Sequence, residues 1–401
     1  MERKPNDLLD YTKTRITSLE FKYTHKTAPE HFTRTSKLNF ENTALMILKM
    51  IKKSIKVELM DFFYQVDKET ETPSRQAFSQ AREKISYLAF KDLFDYSCGL
   101  TLKSKESETY KGYSIFAVDG TSFTVGDIGK LSGYFGNSTT IEGKAMCRIS
   151  GIIDVLEECI VDAAVSPFET GERALAIRQI EKIKFTKKAI YLFDRGYWSP
   201  ELVEKVAGNG QKFLMRINKE NLAAAKNKML RCYTFTLPSG NEEILVTNLS
   251  ADEVFDEELA FLYTKRWGAE TKYLELKARL QIDKFSGESA NIILQDIYST
   301  LYISNLVAFT CSEADKVIKR KTEKKDNKYK QKANRSTCIS AYRKRFIDIC
   351  FITVPCLRDA ALDKLYNDIS RDVSYINKSK PKPRNKHQIN NSRRHFSKPV
   401  L

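Results

Sequence analysis

Between Tyr113 and Ser199 the apolar residues stop recurring at helical spacing and come in short runs rich in β-branched and aromatic side chains. That change limits the fold more than any other feature of the chain. YSIFAV, AMCRISGIIDVL and ECIVDAAVSP read as three strands; after a break at Pro167 and Gly171, ERALAIRQIEKIK reads as an amphipathic helix and AIYLFDRGYWS as a fourth strand. Strand–strand–strand–helix–strand is the order of a mixed α/β sheet. The first strand closes on Asp119-Gly120-Thr121 and the fourth on Asp194-Arg195-Gly196, so two carboxylates lie where loops open at strand ends. Taken singly, each is an ordinary turn residue, since Asp and Gly both favour turns.

The flanks read differently. Residues 1–110 are expected to be a helical N-terminal domain. ALMILKMIKKSIKVELMDFFYQV reads as one helical run and PSRQAFSQAREKISYLAFKDLFDY as a second, either a helix-turn-helix that presents PSRQAFSQAREK to DNA or an ordinary helical domain. The stretch GDIGKLSGYFGNSTT reads as a loop. Residues 111–290 form the expected α/β core, interrupted at 199–255 by KFLMRINK, CYTFTLPS and EEILVTNL, a β-rich insertion that would make a subdomain over the site. A helical basic region is expected over 291–376. Residues 377–401 hold eight Lys/Arg, no acids and three prolines, and read as a disordered tail drawn to phosphate backbones.

A formal net charge of +16 points to an acidic polymer as partner. The N-terminal MERKPNDLLDYTK carries charge where a signal peptide needs an apolar core, and the apolar stretch from Ile292 contains Gln295, Asp296 and Asn305, so it reads as a buried helix and the protein as cytosolic. The eight cysteines include no CxxC pair, which leaves reduced thiols as the expectation. No histidine occurs between Phe32 and Lys386, which argues against a histidine-based nucleophile or a histidine-ligated zinc in the central region. A GxxxxGK(S/T) phosphate loop is also missing. Carboxylates in basic surroundings remain, and they suit magnesium and phosphates.

One carboxylate has a distinctive setting. Tyr263, Arg266, Glu270 and Lys277 fall at about 0°, 300°, 340° and 320° around an ideal helix, an arc of about 60°. The segment ELAFLYTKRWGAETKYLELKARL holds few helix breakers, so these four are expected on one stripe of one helix, with Glu275 on the far side. Such repeats also occur on solvated faces, where they support the helix.

VDGTSFTV, LFDRGYWS and the pattern Y-x2-R-x3-E-x6-K formed by Tyr263, Arg266, Glu270 and Lys277 together resemble the DDE transposases of insertion-sequence family four. The last pattern is that family's signature, met at all four positions. The resemblance implies a ribonuclease-H-like mixed-sheet core with a β-rich insertion ahead of the glutamate. It further implies that Asp119, Asp194 and Glu270 are catalytic and bind two Mg2+ (or Mn2+) ions. Tyr263, Arg266 and Lys277 would contact DNA, with Arg195 a further candidate by position. Family members often place a base-stacking tryptophan in the insertion; here Trp198 borders it and Trp267 lies on the helix, and core packing is the expectation for both.

The implied function is metal-dependent DNA cleavage and strand transfer at the ends of the protein's own insertion sequence, in a prokaryotic, nucleoid-associated setting. The partners would be double-stranded transposon-end and target DNA, and the form in synapsis a homodimer. Two other readings stand beside it: a ribonuclease-H-like nuclease that cuts without rejoining, and a transposase-derived DNA-binding regulator without catalysis.

Overall fold

The computed structural model describes residues 4–49, 54–68, 71–104, 106–137, 142–183, 187–237, 240–323 and 329–376. The expected basic tail and part of the lysine-rich run before it lie outside these residues. The chain forms two compact units, residues 1–85 with 306–401, and residues 86–305.

Unit one begins with helices α1 (Lys4–Thr17), α2 (Leu19–His25), α3 (Phe40–Leu48), α4 (Ile55–Asp67) and α5 (Arg75–Glu83). The run expected as a single helix over 44–66 is therefore two, α3 and α4, with residues 50–53 outside the description. Ser74 caps α5 through its side chain, and α5 packs on α3 and α4. It buries Phe78, Ala81 and Arg82 and exposes Arg75, Gln76, Gln80 and Glu83.

Unit two holds α6 (Leu88–Lys103), β1 (Ser114–Asp127), α7 (Ile128–Phe135), β2 (Lys144–Asp154), β3 (Cys159–Pro167), α8 (Glu172–Lys182), β4 (Ala189–Phe193) and α9 (Pro200–Gly208). It continues with β5 (Lys212–Ile217), α10 (Leu222–Asn227), β6 (Arg231–Thr236), β7 (Glu242–Thr247), α11 (Asp256–Thr264), α12 (Trp267–Ala278) and α13 (Ala290–Thr322), whose residues from 306 on count with unit one. Also in unit one are β8 (Lys330–Ala333), α14 (Arg335–Phe351), α15 (Pro355–Ile369) and β9 (Val373–Ile376), with β8 and β9 antiparallel.

The expected strands and the intervening helix all form. Seven strands make one mixed sheet in the order β3-β2-β1-β4-β5-β7-β6. β3, β2 and β1 are antiparallel, β1, β4 and β5 parallel, and β7 and β6 return antiparallel on β5. A parallel neighbour needs a crossover, which α9 supplies between β4 and β5. Helices pack on β1, β2, β4 and β5 from both faces, so β4 reads AIYLF with every residue buried.

Two expectations change. β5, β6 and β7 do not form a separate subdomain; they extend the main sheet. The stretch expected as a loop after β1 contains α7.

α13 is long and apolar enough to span a membrane, but 89% of its apolar window is buried in protein. Its Asn305 is fully buried and satisfied, taking the Ile160 N–H at 2.7 Å and donating to Ser97 Oγ and the Ile160 carbonyl at 2.9 Å each. All eight cysteines are free, six of them buried.

Candidate active site

β1 and β4 run side by side in register, Val118 opposite Phe193, and the next residue on each strand is Asp119 and Asp194. Neighbouring strands lie about 4.8 Å apart, so the two aspartates sit at one level: Asp194 just past the end of β4, and Asp119 where β1, which runs on to Asp127, stops pairing with β4. β1 is fully buried from Ser114 to Val118 and half-buried from Asp119 to Ser122, before Phe123 and Val125 are buried again.

Glu270 arrives from the first turn of α12, whose Ala269 packs on Ala117 and Ile153 of the sheet. The expected single helix is broken. At Lys265 and Arg266 the hydrogen bonds tighten to three-residue spacing, and α11 ends before α12 begins. Close approach accompanies the break: a Cβ on Gly268 would lie 2.8 Å from the Val155 side chain. The stripe is therefore shared between two helices, with Tyr263 on the first and Glu270 and Lys277 on the second.

Each of the three carboxylates is held through one oxygen. Asp119 Oδ1 accepts the Gly120 N–H at 2.9 Å. Asp194 Oδ1 accepts the Arg195 N–H at 2.8 Å and Arg216 Nη2 at 2.8 Å, with the Tyr263 hydroxyl at 3.5 Å. Glu270 Oε1 accepts Arg266 Nη2 at 2.9 Å. Among the described residues, none donates to the second oxygen of any of the three. Hard divalent cations take such oxygens as ligands.

The carboxylates feel one another. Burial pushes Asp119 up to about 6, with the Glu270 and Glu172 carboxylates adding to the rise, although the Gly120 N–H and the Arg266 guanidinium oppose it. Burial also acts on Asp194, but there the Arg195 N–H and the Arg216 and Arg266 guanidiniums prevail and hold it below its ordinary value. Arg266, only 5% exposed, thus acts electrostatically on both aspartates while bonding to the glutamate. Among the described residues no three His, Cys, Asp or Glu side chains close tightly enough around one point to hold an ion. Asp194 and Glu270 each bond to a guanidinium group through one oxygen. The donor set fits magnesium chemically, and a loaded site needs the carboxylates to close further.

The remaining expected site residues fall as follows. Tyr263 is buried and its hydroxyl donates to the Phe193 carbonyl at 3.3 Å, bracing the end of β4. Lys277 Nζ donates to the Ser122 carbonyl at 3.4 Å, three residues beyond Asp119 on β1. Arg195 is exposed. Glu275 is engaged with buried Lys272, on the far side as expected. Trp198 packs in the core at 8% exposure, whereas Trp267, expected in the core, is 52% exposed, its ring beneath Arg266.

Four neighbours escaped the sequence reading. Tyr273 donates to the Asp119 carbonyl at 2.8 Å; its place three residues after Glu270 was the available signal. Glu172, at the start of α8, lies so close to Gly120 that a Cβ there would sit 2.9 Å from its carboxyl. Arg216 and Glu243 come from β5 and β7, and no local pattern marks them.

Residues 110–306, just under half of the chain, match the family model of the transposase DDE domain, a segment that holds Asp119, Glu172, Asp194, Glu243 and Glu270. Among curated proteins, the chain is similar to "Putative transposase InsZ" of Escherichia coli (strain K12), 24% identical over 139 residues, which is 32% of this chain and 44% of that protein. Among solved structures it shares the fold of the piggyBac transposase in its synaptic complex with hairpin DNA. The TM-score is 0.51 at 10% identity, over 90% of this chain and 84% of that one.

Proposed function

We propose that the protein is a DDE transposase of insertion-sequence family four, with a ribonuclease-H-like core, that cleaves DNA at the ends of its own element and joins them to target DNA. The observation that carries this reading is the pair Asp119 and Asp194, which follow register partners on adjacent strands, with one oxygen of each and of Glu270 unengaged among the described residues.

Asp119, Asp194 and Glu270 are the residues that would hold two Mg2+ or Mn2+ ions. Such a pair, when bound, supplies Lewis-acid stabilisation of the attacking and leaving oxygens of a phosphodiester. The chain's own residues do the rest. Tyr273 and Gly120 fix the main chain and carboxylate of Asp119, Tyr263 fixes the end of β4, and Arg266 aims Glu270. Lys277 and exposed Arg195 supply cations for the DNA backbone, and Trp267 offers an exposed ring against Arg266. α5 presents Arg75, Gln76 and Gln80, side chains able to read base edges, as the DNA-binding element of the N-terminal region. Double-stranded end and target DNA, a homodimeric synaptic form and a prokaryotic cytoplasmic, nucleoid-associated setting belong to the same reading.

The test uses a plasmid bearing the DNA that flanks the gene. Mg2+-dependent release of 3′-hydroxyl ends followed by insertion into a second plasmid is the expected outcome, abolished by Asp119→Ala without loss of end binding. Cutting without insertion would leave a nuclease; binding with neither step would leave a DNA-binding regulator.

A further inference from the structure

We propose that Arg216 and Glu243 form a two-residue relay by which the β6–β7 hairpin sets the orientation of Asp194. This rests on the reading of Asp194 as a metal ligand and assigns a role to a hairpin that otherwise only widens the sheet.

Arg216 follows Met215 on β5 as Asp194 follows Phe193 on β4, and Phe193 and Met215 are register partners, so arginine and aspartate leave adjacent strands at the same level. On β5, Phe213, Met215 and Ile217 point into one core and Leu214 into the other. Arg216 therefore lies on the Leu214 face, the face that also receives Tyr263. Across the antiparallel β5–β7 pair, Arg216 is opposite Leu245, which places Glu243 on its diagonal, on the same face. The contacts agree: Nη2 reaches Asp194 Oδ1 at 2.8 Å and Nη1 reaches Glu243 Oε1 at 2.9 Å.

A planar guanidinium stretched between two carboxylates has its rotation fixed at both ends. Asp194 then presents Oδ1 to the arginine and leaves Oδ2 clear. Burial raises the importance of the tie: Arg216 and Glu243 side chains are only 25% and 19% exposed, and Arg216 Nε is buried without a partner among the described residues, so no other acceptor among them holds the group in place. Removing the Glu243 charge leaves Arg216 tethered only by the residue it is meant to orient.

Mn2+ binding to the full-length protein, read by calorimetry without DNA, tests the relay directly. Glu243→Gln is expected to weaken binding about tenfold, the scale on which residues supporting a metal ligand act. Arg216→Lys, which keeps the charge but cannot bridge both carboxylates, is expected to do the same, and Glu243→Gln in that background to add little. Glu242→Gln removes a charge from the same hairpin, where Glu242 pairs with exposed Lys219; it is expected to leave binding unchanged. The relay is overturned by an unaltered Glu243→Gln affinity, by full additivity with Arg216→Lys, or by an equal effect from Glu242→Gln. Parent protein that binds no Mn2+ removes the underlying reading as well, whereas parent binding with an indifferent Glu243→Gln removes the relay alone.

Discussion

Asp119 carries an electrostatic cost in the folded chain. Its carboxyl titrates at about 6 in the folded protein against 3.8 ordinarily, because burial and the Glu270 and Glu172 carboxylates disfavour its charge. A raised carboxyl pKa means the folded state holds the proton more tightly than the unfolded chain. The protein without metal therefore loses stability as pH rises from about 4 to about 6, and the loss stays constant above that. Asp119→Asn removes the penalty: in EDTA it should be more stable than the parent by about 1–3 kcal/mol at pH 7.5, the lower part of that range allowing for partial exposure, and by almost nothing at pH ~3, below the unfolded pKa. Denaturant unfolding at the two pH values checks this, and a gain of equal size at both would refute the electrostatic cause. The sequence marked Asp119 and Asp194 by their strand-end positions but gave no means to rank them. Asp119 is raised by burial and the Glu270 and Glu172 carboxylates, whereas Asp194 is lowered by the Arg195 N–H and by Arg216, which reaches it from a strand 22 positions further along.

The strands were legible because β1 to β5 alternate short apolar runs with turn residues, and β4 is apolar throughout as a doubly covered central strand must be. Sheet membership of β6 and β7 was not legible, since periodicity names a strand's faces and not its neighbour. The helix carrying Glu270 shows the same limit. Its wheel correctly separated Glu270 from Glu275, yet nothing in ELAFLYTKRWGAETKYLELKARL announces the tightening at Lys265 and Arg266. Gly268 is the residue on which that seat depends, because a methyl there would meet Cγ1 and Cβ of Val155, a β-branched side chain with little room to turn. Gly268→Ala gains up to about 1 kcal/mol in helix propensity but forces α12 off the sheet at a cost of about 1–3 kcal/mol. The expected net is a destabilisation of about 1 kcal/mol with a larger loss of DNA cleavage. Val155→Ala added to it should recover part of both. Absence of rescue in the double variant would show that the contact does not set the position of α12.

At the scale of the whole chain, the boundary expected at residue 110 falls instead between 85 and 86, because α6 belongs with the sheet and the first 85 residues cluster with residues from 306 onward. A unit built from two distant stretches leaves no trace in local composition. Charge, by contrast, is a whole-molecule property that composition reports directly. Of the formal +16, eight come from the Lys and Arg of residues 378–401, which include no acid, so deleting them halves the net charge to about +8. If those cations meet phosphates, each contact contributes about 0.9 to the slope of log K against log salt, and the eight together at most about 7. Truncation after Asn377 should therefore weaken binding to a duplex of any sequence at low salt and flatten the salt dependence. Discrimination between the element's ends and unrelated DNA should stay intact, since phosphate contacts carry no sequence information. Fluorescence anisotropy at several salt concentrations measures both quantities. An unchanged slope would deny the tail any contact with DNA, and a loss confined to the end sequence would assign it to recognition instead.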